Sequence, residues 1–329
     1  MAPSPLMAVS PGTCFDVFNG DADGLCALTQ LRLAEPAESR LVTGVKRDVS
    51  LLRRVEAGAG DRVTVLDVSL DANRADLLRL LAAGVEVLYV DHHFAGEIPA
   101  HPGLDARIDT APDTCTSLLV NRMLQGRFAA WAVVGAAGDN FGDQARALAR
   151  ASGIADADFP LLERLGICLN YNGYGETVED LHFAPEDLFR RIVRHPDPRG
   201  FAHEARGDFE RLSRGYEDDL ARAAAVAPEY ATGRGAVLVL PCAAWARRVG
   251  GVYANDLANR HTERAHAILT AKAGGGFVVS VRAPLARRAG ADALCRQFPT
   301  GGGRAAAAGI NHLEEDRLAG FVDAFGAAF

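Results

Sequence analysis

Three consecutive residues, Asp91, His92 and His93, carry the strongest chemical signal in this chain. They follow the apolar segment 85–90, which predicts a β-strand. A carboxylate and two imidazoles therefore lie at the carboxyl end of a predicted strand. In open α/β sheets, this is the edge at which ligands bind.

Carboxylates also follow two earlier apolar segments. The first segment leads into Asn19, Asp21 and Asp23, which share one face if the chain stays extended there, and the second, 62–66, leads into Asp67. Asp-rich loops are also typical of turns and helix N-caps, so the first segment alone decides nothing. Together, however, carboxylate and imidazole ligands at three strand ends predict a divalent-metal site.

The elements that must position these side chains alternate between strand and helix patterns. Strands are predicted at 14–19, 41–45, 62–67, 85–90 and 104–109. Helices are predicted between them, for example at 24–34 and 71–83. This alternation predicts an α/β fold with a parallel sheet flanked by helices.

Beyond residue 112 the pattern becomes helical, with a long connecting helix predicted at 203–226. A second, smaller α/β region follows, in which the triple glycine 274–276 predicts a hairpin turn between two strands. The predicted organisation is an N-terminal domain, a connection and a C-terminal domain. Their bounds are 10–200, 201–233 and 234–329.

Composition limits the classes of function. The 329 residues carry a formal net charge of −7, which argues against a broad grip on long duplex nucleic acid. Six scattered cysteines without a CxxC pair are typical of a reducing cytosol, and Met1–Ser10 does not resemble a signal peptide. No apolar stretch reaches the length of a membrane span, so a cytoplasmic protein without a membrane partner is expected.

The order of these motifs resembles that of the DHH phosphoesterase superfamily. Asp-x-Asp-Gly at 21–24, the strand-terminal Asp67 and Asp91-His92-His93 are followed by Gly-x-x-Gly-Asp, which ends at Asp139. The later sequence Gly-Gly-Gly-Arg is similar to the glycine-rich signature of the accompanying DHHA1 domain. The resemblance covers residues 14–140 and 235–312 in the right order.

The resemblance implies two divalent cations, expected to be Mn²⁺, with Mg²⁺ as the alternative. Asp21 and Asp67 would hold one ion. The other would be held by four residues, with Asp67 shared: Asp23, Asp67, His92 and Asp139. Relatives usually have His or Asp where this chain has Asn19, a weaker ligand, which predicts a higher metal requirement.

The resemblance also implies roles for the remaining motif residues. Asp91 would orient His92, and His93 would face the phosphate. In the second domain, backbone N–H groups would cradle a phosphate with the help of Arg304 and Arg282. Gly301, Gly302 and Gly303 would form the cradle.

Simpler interpretations stay open for some of these segments. Arg304 could lie in solvent, in a loop ahead of an alanine-rich helix. The segment 170–175 offers two tyrosine rings for stacking on a base, although such clusters are more often turns.

The implied activity is hydrolysis of phosphoester bonds in short oligonucleotides or small nucleotides, such as nanoRNA, linear or cyclic dinucleotides and pAp. Water activated by two metal ions would attack the phosphorus. One alternative is a RecJ-like single-strand exonuclease. Another is a nucleotide-binding regulatory protein with a degenerate site, favoured by Asn19 and Arg304. The sequence leaves a homodimer open.

Overall fold

A computed structural model describes residues 12–329, which form two compact units. The first unit extends to Gly173 and resumes over Phe183–Phe209. The second comprises Tyr174–His182 and Glu210–Phe329. The domain bounds given above stay a prediction, and the interpretation of Met1–Ser10 lies outside the described residues.

The first unit contains a parallel sheet, as predicted. Its strands are β1 (Cys14–Phe18), β2 (Ser39–Val42), β3 (Arg62–Leu66), β4 (Glu86–Asp91) and β5 (Leu104–Ile108). They lie in the order β2-β1-β3-β4-β5, and every neighbouring pair is parallel. β1, β3 and β4 are rich in β-branched and aromatic residues, which suit a pleated, buried surface.

Eight helices belong to the described part of this unit. They are α1 (Ala22–Ala34), α2 (Leu70–Ala82), α3 (Thr116–Met123), α4 (Ala129–Gly138), α5 (Gly142–Ala151), α6 (Phe159–Gly173), α7 (Pro185–Ile192) and α8 (Pro198–Glu204). Leu77 and Leu80 of α2 pack with Val17 and Val65 of the sheet, and none of the four side chains is exposed. This apolar layer fixes the strands whose ends carry the functional residues.

Helices α4 and α6 pack closely because glycines lie at their contact. A methyl group built on Gly138 would lie 2.5 Å from the carbonyl oxygen of Gly166, and one on Gly166 would lie 2.3 Å from that of Val134. Any larger residue would push the helices apart. The contact matters for the site because α4 ends at Gly138 and Asp139 is its C-cap.

The second unit contains a six-stranded mixed sheet in the order β10-β11-β9-β8-β7-β6. Its strands are β6 (Tyr230–Ala231), β7 (Gly235–Leu240), β8 (Ala265–Ala271), β9 (Phe277–Arg282), β10 (Gly301–Gly303) and β11 (Ala307–Leu313). Its helices are α9 (Arg206–Ala224), which belongs to this unit from Glu210 onward, α10 (Ala244–Arg260), α11 (Ala291–Cys295) and α12 (Leu318–Ala328).

Two sequence predictions for this unit have different outcomes. β8 and β9 pair antiparallel around the 274–276 turn, where Gly275 and Gly276 have φ angles of 87° and 71°, so the hairpin is confirmed. The interpretation that an alanine-rich helix follows Arg304 is wrong, since this segment enters strand β11 and pairs with β9. In neither unit does a described helix have the length and apolar character to cross a membrane.

Candidate metal centre

The predicted metal ligands of the first unit meet at one edge of the parallel sheet. β1, β3 and β4 are neighbours, so their carboxyl ends lie side by side. The ligand atoms of Asp23, His92 and Asp139 lie within 4.8 Å of one another, and so do those of Asp67, His92 and His93. The strand patterns and the motif resemblance together thus pointed to side chains that the fold brings together.

The Asp-rich segment after β1 does not stay extended, because α1 begins at Ala22. Asp21 is the N-cap of this helix, and its Oδ1 accepts the N–H groups of Asp23 and Gly24 at 3.1 Å each. Capping therefore explains one oxygen of Asp21, as the simpler interpretation expected. Its Oδ2 points elsewhere, to a lysine described below.

Asp23 joins the start of α1 to the start of α3. Its Oδ2 accepts the N–H of Thr116 and its Oδ1 accepts the N–H of Ser117, both at 2.7 Å. The positive end of the α3 dipole stabilises this buried carboxylate. Each oxygen keeps a second lone pair, so Asp23 can still bind a cation.

Asp67 lies immediately after β3 in a left-handed backbone conformation, with φ at 60°. This region is uncommon for a residue other than glycine, and Asp tolerates it better than most. The Thr116 hydroxyl donates a hydrogen bond to Asp67 Oδ1 at 3.2 Å. The turn thereby holds a carboxylate that is 2% exposed at the centre of the strand ends.

His92 is oriented by the backbone of the segment before α3. Its Nδ1 donates to the carbonyl oxygen of Thr114 at 3.1 Å, which leaves a lone pair on Nε2. Nε2 lies 3.4 Å from Asp67 Oδ1, 3.8 Å from Asp139 Oδ2 and 3.9 Å from Asp23 Oδ2. These separations are too long for good hydrogen bonds.

The prediction that Asp91 orients His92 is wrong. Asp91 Oδ1 accepts a hydrogen bond from Nδ1 of His93 at 2.7 Å, whereas Nδ1 of His92 donates to the Thr114 carbonyl oxygen. Burial of the ring lowers the pKa of His93, but the bond to Asp91 and the charge of Asp67 outweigh it and raise the pKa to about 9. His93 is therefore a cation at neutral pH, with 45% of its side chain exposed.

Sequence reasoning missed Lys46, which lies in the segment after β2. Its Nζ donates to Asp21 Oδ2 at 2.5 Å, to Asp139 Oδ1 at 2.9 Å and to Asn170 Oδ1 at 3.0 Å. The composition could have pointed to Lys46, because Lys46 and Lys272 are the only two lysines among the 35 lysine and arginine residues of the sequence. A chain that otherwise uses arginine places this lysine among carboxylates.

The charges of the cluster shift its carboxyl groups in opposite directions. Burial and the charges of Asp21 and Asp23 raise the pKa of Asp67 well above its ordinary value. Burial also raises the pKa of Asp139, against the opposing effect of Lys46. Asp21 is buried too, but the ammonium of Lys46 and the capping bond from Gly24 keep its pKa below the ordinary value.

The residues around His92 fit a divalent ion. Ligands at 2.0–2.1 Å from an octahedral ion such as Mg²⁺ lie about 3 Å apart when adjacent. The 3.4–3.9 Å separations from Nε2 need only a small contraction to reach this arrangement. Carboxylate oxygens and a neutral imidazole nitrogen are also the donor set of such ions.

Asn19 adds an unsatisfied atom near these residues. Its Nδ2 donates to the carbonyl oxygen of Lys46 at 3.4 Å, whereas its Oδ1 is buried and has no hydrogen-bond partner among the described residues. An orphaned buried acceptor is unfavourable unless a water or an ion satisfies it. The predicted effect of Asn19 on the metal requirement stays a prediction.

Residues predicted to hold the substrate lie in the sheet of the second unit. Gly301–Gly303 form the terminal strand β10 and pair with β11 through Ile310, Gly309 and Ala308. Arg282 ends β9 opposite Ala307, and its Nε donates to Asn255 Oδ1 at 2.6 Å. Arg304 is exposed in the turn between β10 and β11.

The stacking hypothesis for the segment 170–175 is wrong for Tyr171. That ring is fully buried in α6, where it packs in the interior. The useful residue of this segment is Asn170, which contacts Lys46.

Solved structures of similar fold cover almost the whole chain. Exonuclease RecJ bound to manganese matches with a TM-score of 0.61 and 22% identity, over 97% of this chain and 91% of that one. RecJ from Thermus thermophilus in complex with Mn²⁺ matches with a TM-score of 0.62 and 21% identity, over 97% of this chain and 53% of that one. PggH, a pGpG-specific phosphodiesterase from Vibrio, matches with a TM-score of 0.53 and 14% identity, over 96% of this chain and all of that one.

No family model and no curated protein matches the chain. At identities of 14–22%, the similarities establish the fold. A further match, at a TM-score of 0.62, is described as a DHH domain. The chain therefore has the fold of RecJ and DHH-domain proteins, which confirms at this level the resemblance drawn from its motifs.

Proposed function

We propose that this chain is a metal-dependent phosphoesterase that hydrolyses phosphoester bonds in short oligonucleotides or small nucleotides. The observation that carries the proposal is the convergence of Asp23, His92 and Asp139. Asp67 belongs to the same cluster, because its Oδ1 lies 3.4 Å from His92 Nε2, closer than the 3.8 Å of Asp139 Oδ2. The fold supports it, since the similar structures include an exonuclease and a phosphodiesterase.

Four residues would hold the divalent ion: Asp23, Asp67, His92 and Asp139. When bound, such an ion polarises a phosphoryl oxygen and lowers the pKa of a bound water molecule to a value near neutral pH. Mn²⁺ is our first candidate because two of the similar RecJ structures contain it.

His93 would stabilise the negative charge that develops on the phosphate. The hydrogen bond to Asp91 favours the protonated ring, and the half-exposed side chain can reach a substrate. Asp91 positions it by the 2.7 Å hydrogen bond to Nδ1. A preorganised cation of this kind is effective in a site from which water is partly excluded.

In the second unit, the turn after β10 would bind a phosphate. Arg304 is exposed there, and Arg282 lies opposite Ala307, three residues further along. β10 is the terminal strand of its sheet, so one of its edges can offer backbone N–H groups to a phosphate. The net charge of −7 favours a short ligand over a long nucleic acid.

A substrate panel with and without Mn²⁺ tests the proposal. We expect metal-dependent release of mononucleotide or phosphate from pGpG, a pentaribonucleotide or pAp, with little release from long single-stranded DNA. The Asp67→Asn variant is the matched control. Binding of these nucleotides without turnover would instead support a regulatory protein and contradict the hydrolase.

The RecJ-like exonuclease is the second candidate, favoured by the 91% coverage of the manganese-bound RecJ chain. It predicts that activity increases with the length of a single-stranded substrate. The same panel separates the two candidates, because the short-substrate enzyme predicts the opposite trend.

A further inference from the structure

The candidate metal centre contains a cation that belongs to the chain itself. Asp21 is expected to hold a first divalent ion together with Asp67, yet the ammonium of Lys46 lies 2.5 Å from Asp21 Oδ2. It also lies 2.9 Å from Asp139 Oδ1. The lysine therefore occupies the space beside Asp21 where that ion would bind.

The ammonium of Lys46 is surrounded by acceptors in the way that ligands surround a bound ion. An ammonium has three N–H donors, and Asp21, Asp139 and Asn170 supply three acceptors. The acceptors come from three separate parts of the unit: the N-cap of α1, the C-cap of α4 and helix α6. An incidental surface contact would not gather partners from three elements.

The backbone of Lys46 is also fixed at this position. Its N–H donates to the carbonyl oxygen of Gly173 at 2.8 Å, and its own carbonyl oxygen accepts from Asn19 Nδ2 at 3.4 Å. The neighbouring Val45 is buried at 8% exposure. The side chain is thus anchored at its base as well as at its charged end.

Asp139 divides its two oxygens between the two sides of the centre. Oδ1 accepts from Lys46 at 2.9 Å, whereas Oδ2 lies 3.8 Å from His92 Nε2. The carboxylate can therefore bridge the ammonium and a divalent ion held beside His92. A second divalent ion next to Asp21 would have to displace the ammonium, because like charges at such short range repel.

We propose that Lys46 takes the place of one of the two divalent ions, so that the chain binds a single ion at Asp23, Asp67, His92 and Asp139. This inference rests on the proposed function, which requires a metal at those residues. It gives a reason for Asn19, where relatives have His or Asp. A singly charged ammonium needs fewer negative ligands than a divalent ion, and the Asn19 amide instead helps to hold the Lys46 backbone.

The number of Mn²⁺ ions per chain tests the proposal. Equilibrium dialysis followed by metal analysis measures the number, and electron paramagnetic resonance distinguishes an isolated Mn²⁺ from a magnetically interacting pair. We expect one Mn²⁺ with the spectrum of an isolated ion in the unmodified chain. Two Mn²⁺ with an interacting spectrum would overturn the proposal, since Lys46 would then move aside.

The variant Lys46→Met, alone and combined with Asn19→Asp, provides the second measurement. Methionine keeps a long unbranched side chain and removes the charge, so a second Mn²⁺ is expected to bind, most tightly in the double variant. The matched control is Lys272→Met, in the turn that follows β8, which should keep one ion. A double variant that still binds one ion would contradict the proposal.

Failure of the proposed function gives a different result. If the unmodified chain binds no Mn²⁺, or if Asp67→Asn binds as much as the unmodified chain, the metal site itself is absent. If Lys46→Met does not fold, the count on the unmodified chain still decides between one ion and two.

Discussion

Around His92, carboxylates of Asp23, Asp67 and Asp139 lie 3.4–3.9 Å from an imidazole nitrogen, too far for good hydrogen bonds. Around Lys46, oxygens of Asp21, Asp139 and Asn170 lie 2.5–3.0 Å from an ammonium. We call these the His92 side and the Lys46 side. The same carboxylate, Asp139, belongs to both.

The two sides differ in whether their polar groups have partners within the protein itself. On the Lys46 side, every N–H of the ammonium has an acceptor, so its hydrogen bonds are complete without a ligand. On the His92 side, burial and neighbouring charges raise the pKa of Asp67 well above its ordinary value. Such a side gains free energy when a cation binds, whereas the Lys46 side gains nothing further.

Removing the central carboxylate should have the largest effect. Asp67→Asn removes a ligand from the His92 side, and we expect activity to fall about 1,000-fold or more, because metal assistance contributes several kcal/mol. Asn tolerates the left-handed backbone at this position, so the fold should remain. Steady-state kinetics with the substrate panel measures the loss.

The same variant should be more stable than the parent when both are free of metal. The folded-state pKa of Asp67 is raised above 3.8, so the parent loses stability as the pH rises beyond that value, and the variant does not. Urea unfolding at pH 7 and near pH 4 measures the difference, which should shrink at the lower pH. A variant less stable than the parent at pH 7 would contradict the proposed charge repulsion.

Neutralising Lys46 should have the next largest effect, and in the opposite direction. Lys46→Met leaves the buried Asp21 and the partly buried Asp139 without their cation, which should destabilise the metal-free protein by about 3–5 kcal/mol. Mn²⁺ should restore more stability to the variant than to the parent, because it replaces the missing charge. Urea unfolding with and without Mn²⁺ measures both quantities.

The control for this experiment is Lys272→Met, which should change stability by no more than about 0.5 kcal/mol. Equal stabilities of Lys46→Met and the control would show that the Lys46 side does not depend on its ammonium.

The Thr116 hydroxyl should have an intermediate effect on the His92 side. Thr116→Val keeps the side-chain shape and the backbone N–H that binds Asp23, but removes the 3.2 Å hydrogen bond to Asp67. We expect Mn²⁺ affinity to fall about 10–100-fold, as for other residues that support metal ligands. Titration calorimetry checks this, with Thr116→Ser as the conservative control that should retain affinity.

Part of the His92 side could be predicted from strand patterns, because Asp67 and His92 directly follow strands of one parallel sheet, whereas Asp23 lies in α1 and Asp139 caps α4. The strand patterns alone place Asp67 and Asp91 at the same edge. The partner of Asp91 could not be predicted in this way. It depends on the Thr114 carbonyl, a backbone atom whose position is set by the start of α3.

The Lys46 side could not be predicted from strand ends. Lys46 follows β2, but its partners Asp139 and Asn170 lie 93 and 124 residues further along the chain. They reach it through the close packing of α4 and α6, which depends on Gly138 and Gly166. Strand β10 could not be predicted for a related reason, since glycines carry no strand signal and only pairing with β11 defines β10.

The smallest expected effect concerns Asp91, at the outer margin of the His92 side. His93 has a folded-state pKa of about 9, above its ordinary value of 6.5, so its contribution to stability is fully present below pH 6.5 and is lost as the pH rises through 9. Asp91→Asn removes the charge that favours the protonated ring. The stability difference between parent and variant should therefore decline between pH 6.5 and pH 9.

The size of this difference should stay below about 1 kcal/mol, because 45% of the His93 side chain is exposed and solvent screens its charge. Urea unfolding across this pH range, together with an NMR titration of the His93 ring, measures both effects. A difference that does not change with pH would mean that Asp91 stabilises the fold through contacts other than the charge of His93.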